Sequence, residues 1–196
     1  MMKNTLIILV INLGMAAAAL AGDISGEIKC RGVRDCSDVV VYIDKIDENV
    51  TAPKEHAVMN QKNLKFIPHV LPIVAGTTVD YLNSDDVLHN VFSPDKCAEK
   101  FNLGTWTKGE TRSYTYKDTD CGAVMLCNVH PEMEAWVLVL QNGYFYKTDK
   151  DGKYVIKDIP PGKYELKVWH EKIKGKPQEV EITSDETVIV NFKLKR

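Results

Sequence analysis

The segment Cys127-Asn128-Val129-His130-Pro131-Glu132-Met133 sets a thiolate, an imidazole and a thioether at three-residue intervals, and a second imidazole, His89, stands 38 positions before the cysteine. This mixture selects copper. Thiolate and thioether favour Cu(I), imidazole suits both oxidation states, and a long axial methionine bond lets the two states share nearly one geometry. Such a site passes single electrons with little rearrangement. Cysteine with two histidines can also hold a structural zinc, but zinc gains little from a thioether, which makes zinc the weaker reading.

The ligands need a compartment and a scaffold. Lys3 precedes the apolar run Leu6 to Leu13, and a small-residue stretch ends in Ala19-Leu20-Ala21, the A-x-A form of a cleavage site. A signal peptide is therefore expected over 1–21, with a periplasmic or secreted mature chain. The competing reading is an uncleaved anchor, but Asn12 and Gly14 interrupt a run already short for a span. No membrane span is expected after cleavage. The full chain has 25 basic and 27 acidic residues and a net charge of -2, and losing Lys3 with the leader makes it -3. That balance is too mild to suggest nucleic acid or a membrane surface as partner.

Five cysteines are an odd number for an exported chain unless one thiol has another use. Cys30 and Cys36 enclose a short turn, and Cys97 and Cys121 flank a longer stretch. Two disulfides would leave Cys127 free, and metal ligation would protect it from oxidation. Five reduced structural cysteines are the alternative.

The remaining pattern is almost wholly β. Apolar alternation predicts strands over 24–28, 39–43, 70–74, 77–82, 113–116, 123–126, 136–140, 154–156, 164–169 and 187–194. Ala75-Gly76, Lys108-Gly109, Asp151-Gly152 and Pro160-Pro161-Gly162 punctuate them. No segment keeps a helical period over ten residues, so an all-β sandwich or barrel architecture is expected.

From about Pro53 to Gln141 the chain resembles a cupredoxin of the plastocyanin and amicyanin branch. The resemblance rests on Phe66-Ile67-Pro68, the run Gly76 to Asn83, His89-Asn90-Val91-Phe92, the Cys127, His130, Met133 loop and the strand Trp136 to Leu140. It implies a Greek-key β-sandwich with one type 1 copper held by His89, Cys127, His130 and Met133. The two-residue spacings are those of the short amicyanin-like loop. The resemblance also places the Asn90 amide on the Cys127 sulfur and its side chain between the two ligand loops. Pro131 has no N–H to give that sulfur a second hydrogen bond. A thiolate with fewer donors is richer in electrons, which predicts a reduction potential toward the lower part of the family range.

The run Thr148 to Trp169 resembles a carboxypeptidase regulatory-like domain, a smaller transthyretin-like or CnaB-like β-sandwich. Its usual first two strands are matched by Ile24 to Ile28 and Val39 to Ile43, before the cupredoxin segment. A split sandwich is expected, over 22–50 and 142–196, with the cupredoxin inserted at 51–141; insertion at loop tips is physically easy. Alternatively, 22–50 supplies the first cupredoxin strands.

These readings predict a carrier of single electrons. Its partner would be a redox protein such as a c-type cytochrome, docking where His130 meets the apolar Val87, Leu88, Pro131 and Ala135, inside a rim of Asp85, Asp86, Glu132 and Glu134. An ordinary solvated rim is the plainer explanation of those acids. The second functional reading is an envelope copper-binding or copper-delivery protein, for which a weak second site at His56, Met59 and His69 would speak. An enzyme is not expected, because no second histidine-rich cluster accompanies the ligand set. His170 reads as a surface or interdomain residue.

Overall fold

The computed structural model describes residues 21–183 and 186–196. Except for Ala21, the expected leader lies outside them. In chain order the strands are β1 (Gly22–Arg31), β2 (Val40–Ile43), β3 (Ala57–Gln61), β4 (Phe66–Ile67), β5 (Val70–Val74), β6 (Thr78–Asn83), β7 (His89–Ser93), β8 (Phe101–Trp106) and β9 (Thr111–Thr115). They continue as β10 (Cys121–Leu126), β11 (Glu134–Leu140), β12 (Phe145–Lys147), β13 (Lys153–Ile159), β14 (Gly162–Trp169), β15 (Gln178–Ile182), β16 (Thr187–Ile189) and β17 (Phe192–Lys195). The protein is all-β. No helix among the described residues is long and apolar enough to cross a membrane.

The middle of the chain forms two facing sheets, ordered β5-β11-β10-β7-β8 and β4-β3-β6-β9. Strand alternation turns Met59, Tyr81, Val91, Ala123, Met125 and Val137 into one apolar layer between them. Within it the hydroxyls of Tyr81 and Tyr116 lie 2.5 Å apart, and each lies close to the Met125 sulfur. Burial pushes both phenols well above the ordinary tyrosine range.

Strands from both ends of the chain build a second pair of sheets. β1 pairs antiparallel with β13 and parallel with β16 and β17, while β2 lies between β12 and β14, with β15 beyond. Ile24, Ile28, Ile43, Ile156, Leu166 and Phe192 fill the space between. The continuous strand expected over 187–194 is broken into β16 and β17. At Gly26 a Cβ would stand 1.8 Å from the Val190 carbonyl oxygen, so β1 passes that backbone only as glycine. The Val190 N–H donates to the Ser25 carbonyl, and Asn191 Oδ1 accepts the Glu27 N–H, ending one pairing and starting the next.

The two units meet through apolar sheet faces. Val40 of β2 packs with Val70 of β5 and with Leu138 and Leu140 of β11, joined by Trp136 and Trp169. The two indoles meet edge-on at 5.6 Å. Gly122 makes room for this contact, since a Cβ there would lie 2.9 Å from Trp169 Nε1. Glu171 accepts hydrogen bonds from Trp136 Nε1 at 3.1 Å and faces His69 Nε2 at 3.2 Å. The sheet containing β1 and β17 is therefore the outermost layer on this side. Disulfides join Cys30 to Cys36 and Cys97 to Cys121, and Cys127 is free and buried.

Candidate metal centre

Adjacent strands bring the donors together. His89 opens β7, whose Phe92 pairs with Leu126, the last residue of β10, and Cys127 follows directly. β10 and β11 form a hairpin whose end pair is Leu126 with Glu134, so residues 127–133 close it as a compact loop. The Met133 N–H donates to the His130 carbonyl at 3.0 Å and tightens that loop.

Donor atoms of His89, Cys127 and His130 all lie within 4.8 Å of one another. The two Nδ1 atoms are 3.1 Å apart, and the rings meet at 63° with centroids 4.8 Å apart. Metal–imidazole bonds of about 2.0 Å allow one ion to reach two nitrogens up to about 4 Å apart. The donor set therefore fits a single metal ion. His89, Cys127 and Met133 are buried, and Met133 shares the apolar cluster of Cys127, whereas His130 is partly exposed.

Asn90 braces both loops. Its backbone N–H donates to Cys127 Sγ at 3.4 Å, and its Oδ1 accepts the Asn128 N–H at 3.2 Å. Its Nδ2 donates to Asn102 Oδ1 at 2.8 Å and to the Gly104 carbonyl at 2.7 Å. Every polar atom of this buried side chain thus has a partner.

The far side of His89 holds a residue that was expected to belong to the docking rim. Asp85 turns inward, with its side chain 14 % exposed and Oδ2 2.9 Å from His89 Nε2. It also accepts the N–H groups of Asn63 at 2.7 Å and Leu64 at 3.0 Å. Burial opposes ionisation of this carboxyl, but the Leu64 N–H, the His89 ring and the Asn63 N–H outweigh it and hold its pKa below the ordinary value. A carboxylate on Nε2 selects the tautomer that leaves Nδ1 free for a metal. Asn83 sets the loop by accepting the Asp85 N–H and donating to the carbonyls of Val87 and Trp106.

The expected acidic rim is therefore thinner than its sequence suggests. Asp85 is turned in against His89, and Asp86 pairs with Lys108 at 2.9 Å. Glu132 and Glu134 remain exposed, as do the apolar Leu64, Val87, Leu88 and Val129, while Ala135 is buried.

His56, Met59 and His69 are not brought together. His56 Nδ1 faces Asp80 Oδ1 at 2.9 Å, Met59 is wholly buried in the core, and His69 lies against Glu171 and the Glu134 carbonyl. Alternation along β3 turns Met59 into the core, while His56 and His69 each face a carboxylate on a different element. His170 accepts the Lys172 N–H at 2.9 Å, and burial lowers its pKa. Glu171, which joins the two units, gave no signal in the sequence because its partners lie far along the chain.

The family model described as polysaccharide lyase family 4, domain II, matches residues 122–190. That range starts within β10 and runs through β16, and the model is a different one from the carboxypeptidase regulatory-like domain expected there. No curated protein matches the chain. Among solved structures, a mutant of amicyanin in the Cu(I) state is 21 % identical, covers 43 % of this chain and 81 % of its own, and superimposes with a TM-score of 0.40. A purple cupredoxin from Nitrosopumilus maritimus is 24 % identical over 42 % of this chain and 98 % of its own, at a TM-score of 0.38. A copper-containing nitrite reductase from Thermus scotoductus is 23 % identical over 50 % of this chain, at 0.41, and the match spans 25 % of that enzyme.

Proposed function

We propose that the protein is an exported carrier of single electrons, built on one type 1 copper held by His89, Cys127, His130 and Met133. The observation that carries this reading is the convergence of a buried thiol and two imidazole Nδ1 atoms within 4.8 Å. When bound, copper would supply the one-electron couple. The chain supplies the rest: Asn90 donates to the sulfur, Asp85 orients His89, and the apolar cluster keeps water from the buried side of the site. Pro131 withholds a second donor from the sulfur, which keeps the potential low in its class.

Electrons would pass at the partly exposed edge of His130. The apolar Leu64, Val87, Leu88 and Val129 beside it suit brief docking of a redox protein such as a c-type cytochrome. The domain division proposed above, with 51–141 inserted between 22–50 and 142–196, is supported by the pairing of β1 with β13 and β17 and of β2 with β12 and β14. The copper-delivery alternative has less support, because delivery favours exposed sulfur ligands and Met59 is buried.

The test is to add Cu(II) to the purified mature protein and record its visible spectrum beside that of Cys127→Ser. An intense thiolate charge-transfer band near about 600 nm, absent from the variant, is expected. A colourless protein would overturn the proposal.

A further inference from the structure

On the outermost sheet, positive charge gathers without neutralisation. In the parallel pairing of β1 and β17, Lys29 stands opposite Lys193 and Arg31 opposite Lys195, and a bridge sets Lys174 beside Lys195. Ile28, Phe192 and Leu194 point into the core, so alternation turns the intervening cations to solvent, where all are exposed. Lys176 and Arg196 join Lys174, Lys193 and Lys195 around one open depression. Glu27 lies beside this group at Lys29 and Lys193, and Asp35, Asp38 and Glu171 border it at Arg196 and Lys174. Among the described residues none of these seven cations enters an ion pair. Like charges opposite one another across strands are destabilising. A sheet that carries two such pairs and a third beside them gives up stability that a bound anion would restore.

We propose that this face docks the protein on an anionic lipid surface. Three observations favour lipid over an acidic protein or an acidic polysaccharide. Five of the seven cations are lysines, compact charges on flexible stems that can follow mobile headgroups, rather than the rigid forks that read a fixed carboxylate. The face is an open sheet surface rather than a cleft that would enclose a polymer chain. Ile189 shares that face. Its neighbour Val188 packs inward while Ile189 is 73 % exposed, against 48 % or less for the other exposed large apolar side chains. Ile189 stands opposite Ser25, with Glu27 between that position and Lys29 along β1, and an apolar side chain on a face that carries a cationic row enters the boundary between headgroups and acyl chains. The ligand loop belongs to the other sandwich, with the sheet of β2 and β14 in between, so docking here leaves His130 uncovered.

The experiment is co-sedimentation of the mature full-length protein with vesicles of phosphatidylcholine alone or mixed with phosphatidylglycerol. Binding is expected only with phosphatidylglycerol, and it should fall steeply as salt rises from about 0.05 to 0.5 M. Each cation removed should weaken it about fivefold, so Lys29→Gln/Lys193→Gln/Lys195→Gln should lose about 100-fold. Ile189→Ser should weaken binding several-fold without changing its salt slope. Lys62→Gln/Lys65→Gln removes charge from a distant turn and should leave binding unchanged. Equal binding to both vesicle types, or equal losses in the distant variant, would overturn the proposal. So would failure to bind vesicles under conditions where the protein binds soluble polygalacturonate or polyglutamate.

Discussion

Replacing Asp85 by Asn tests how far the support behind His89 tunes the site. The carboxylate oxygen lies 2.9 Å from His89 Nε2. Adding the width of an imidazole and a metal–nitrogen bond of about 2 Å puts the anion roughly 7 Å from a metal on Nδ1. At an effective dielectric near 20, a unit charge at that distance is worth about 2 kcal/mol to the extra positive charge of the oxidised state. At about 59 mV per factor of ten for one electron, this raises the potential of the Asp85→Asn variant by about 100 mV. A 10- to 100-fold loss of metal affinity, the range typical of outer-shell substitutions, corresponds to about 60 to 120 mV when it is confined to the oxidised state.

The substitution also has a structural cost that must be separated from the electrostatic one. Asp85 accepts the Asn63 N–H through one oxygen and the Leu64 N–H through the other. An amide can keep one of these bonds but turns its NH2 toward the second donor, a loss of about 1 to 3 kcal/mol. Spectroelectrochemical titration should therefore accompany thermal melts of the metal-free protein. Nitrogen NMR of the His89 ring should show Nε2 protonated in the parent and a mixed tautomer population in the variant. Asp86→Asn is the control, because it removes equal charge from a side chain that is 87 % exposed and paired with Lys108. A shift under about 20 mV for Asp85→Asn, with the absorption band intact, would refute this reasoning.

Three further outcomes follow from the geometry. Asn90→Ala breaks the bonds to Asn102, Gly104 and Asn128; it should destabilise the fold by about 2 kcal/mol in urea titrations and speed copper release to a chelator. Gly122→Ala drives a methyl against Trp169 and should cost about 1 to 3 kcal/mol, with the Trp169→Ala background removing most of that cost. Burial keeps Tyr81 and Tyr116 protonated in the fold where the unfolded chain would ionise. Their stabilisation is complete below about pH 10 and declines above it, so the unfolding midpoint should fall with alkaline pH more gently in Tyr81→Phe/Tyr116→Phe.

The parts of this molecule that were legible in its sequence are those whose cause is local. Val70 to Val74 is an unbroken apolar run closed by Ala75-Gly76, and it forms β5 at those bounds. The loop over 127–133 that brings Cys127 and His130 to His89 declares itself by spacing, and the odd cysteine count marks Cys127 as the free thiol. The failures have equally physical causes. β12 is a three-residue strand of half-buried and exposed side chains, too short to show a period. The run over 187–194 keeps its apolar pattern while its pairing with β1 is interrupted at Val190 and Asn191, where the Val190 backbone closes on Gly26 and the Asn191 side chain takes the Glu27 N–H.

Asp85 shows the same limit at the site itself. In sequence it is one of two adjacent acids before a histidine, and nothing local separates it from Asp86. In the fold, Asn83 accepts the Asp85 N–H, and the turn of Asn63 and Leu64 presents two N–H groups to its carboxylate. A carboxylate offered two backbone donors and a ring nitrogen gains more by turning inward than a solvated one loses, whereas Asp86 is offered only a mobile lysine. The division of labour between neighbouring acids, one fixing the His89 ring and one solvated at the rim, is decided by donors about 20 residues away. Moving those donors should therefore move the potential: disrupting the 62–65 turn while leaving Asp85 in place should reproduce part of the rise seen in Asp85→Asn.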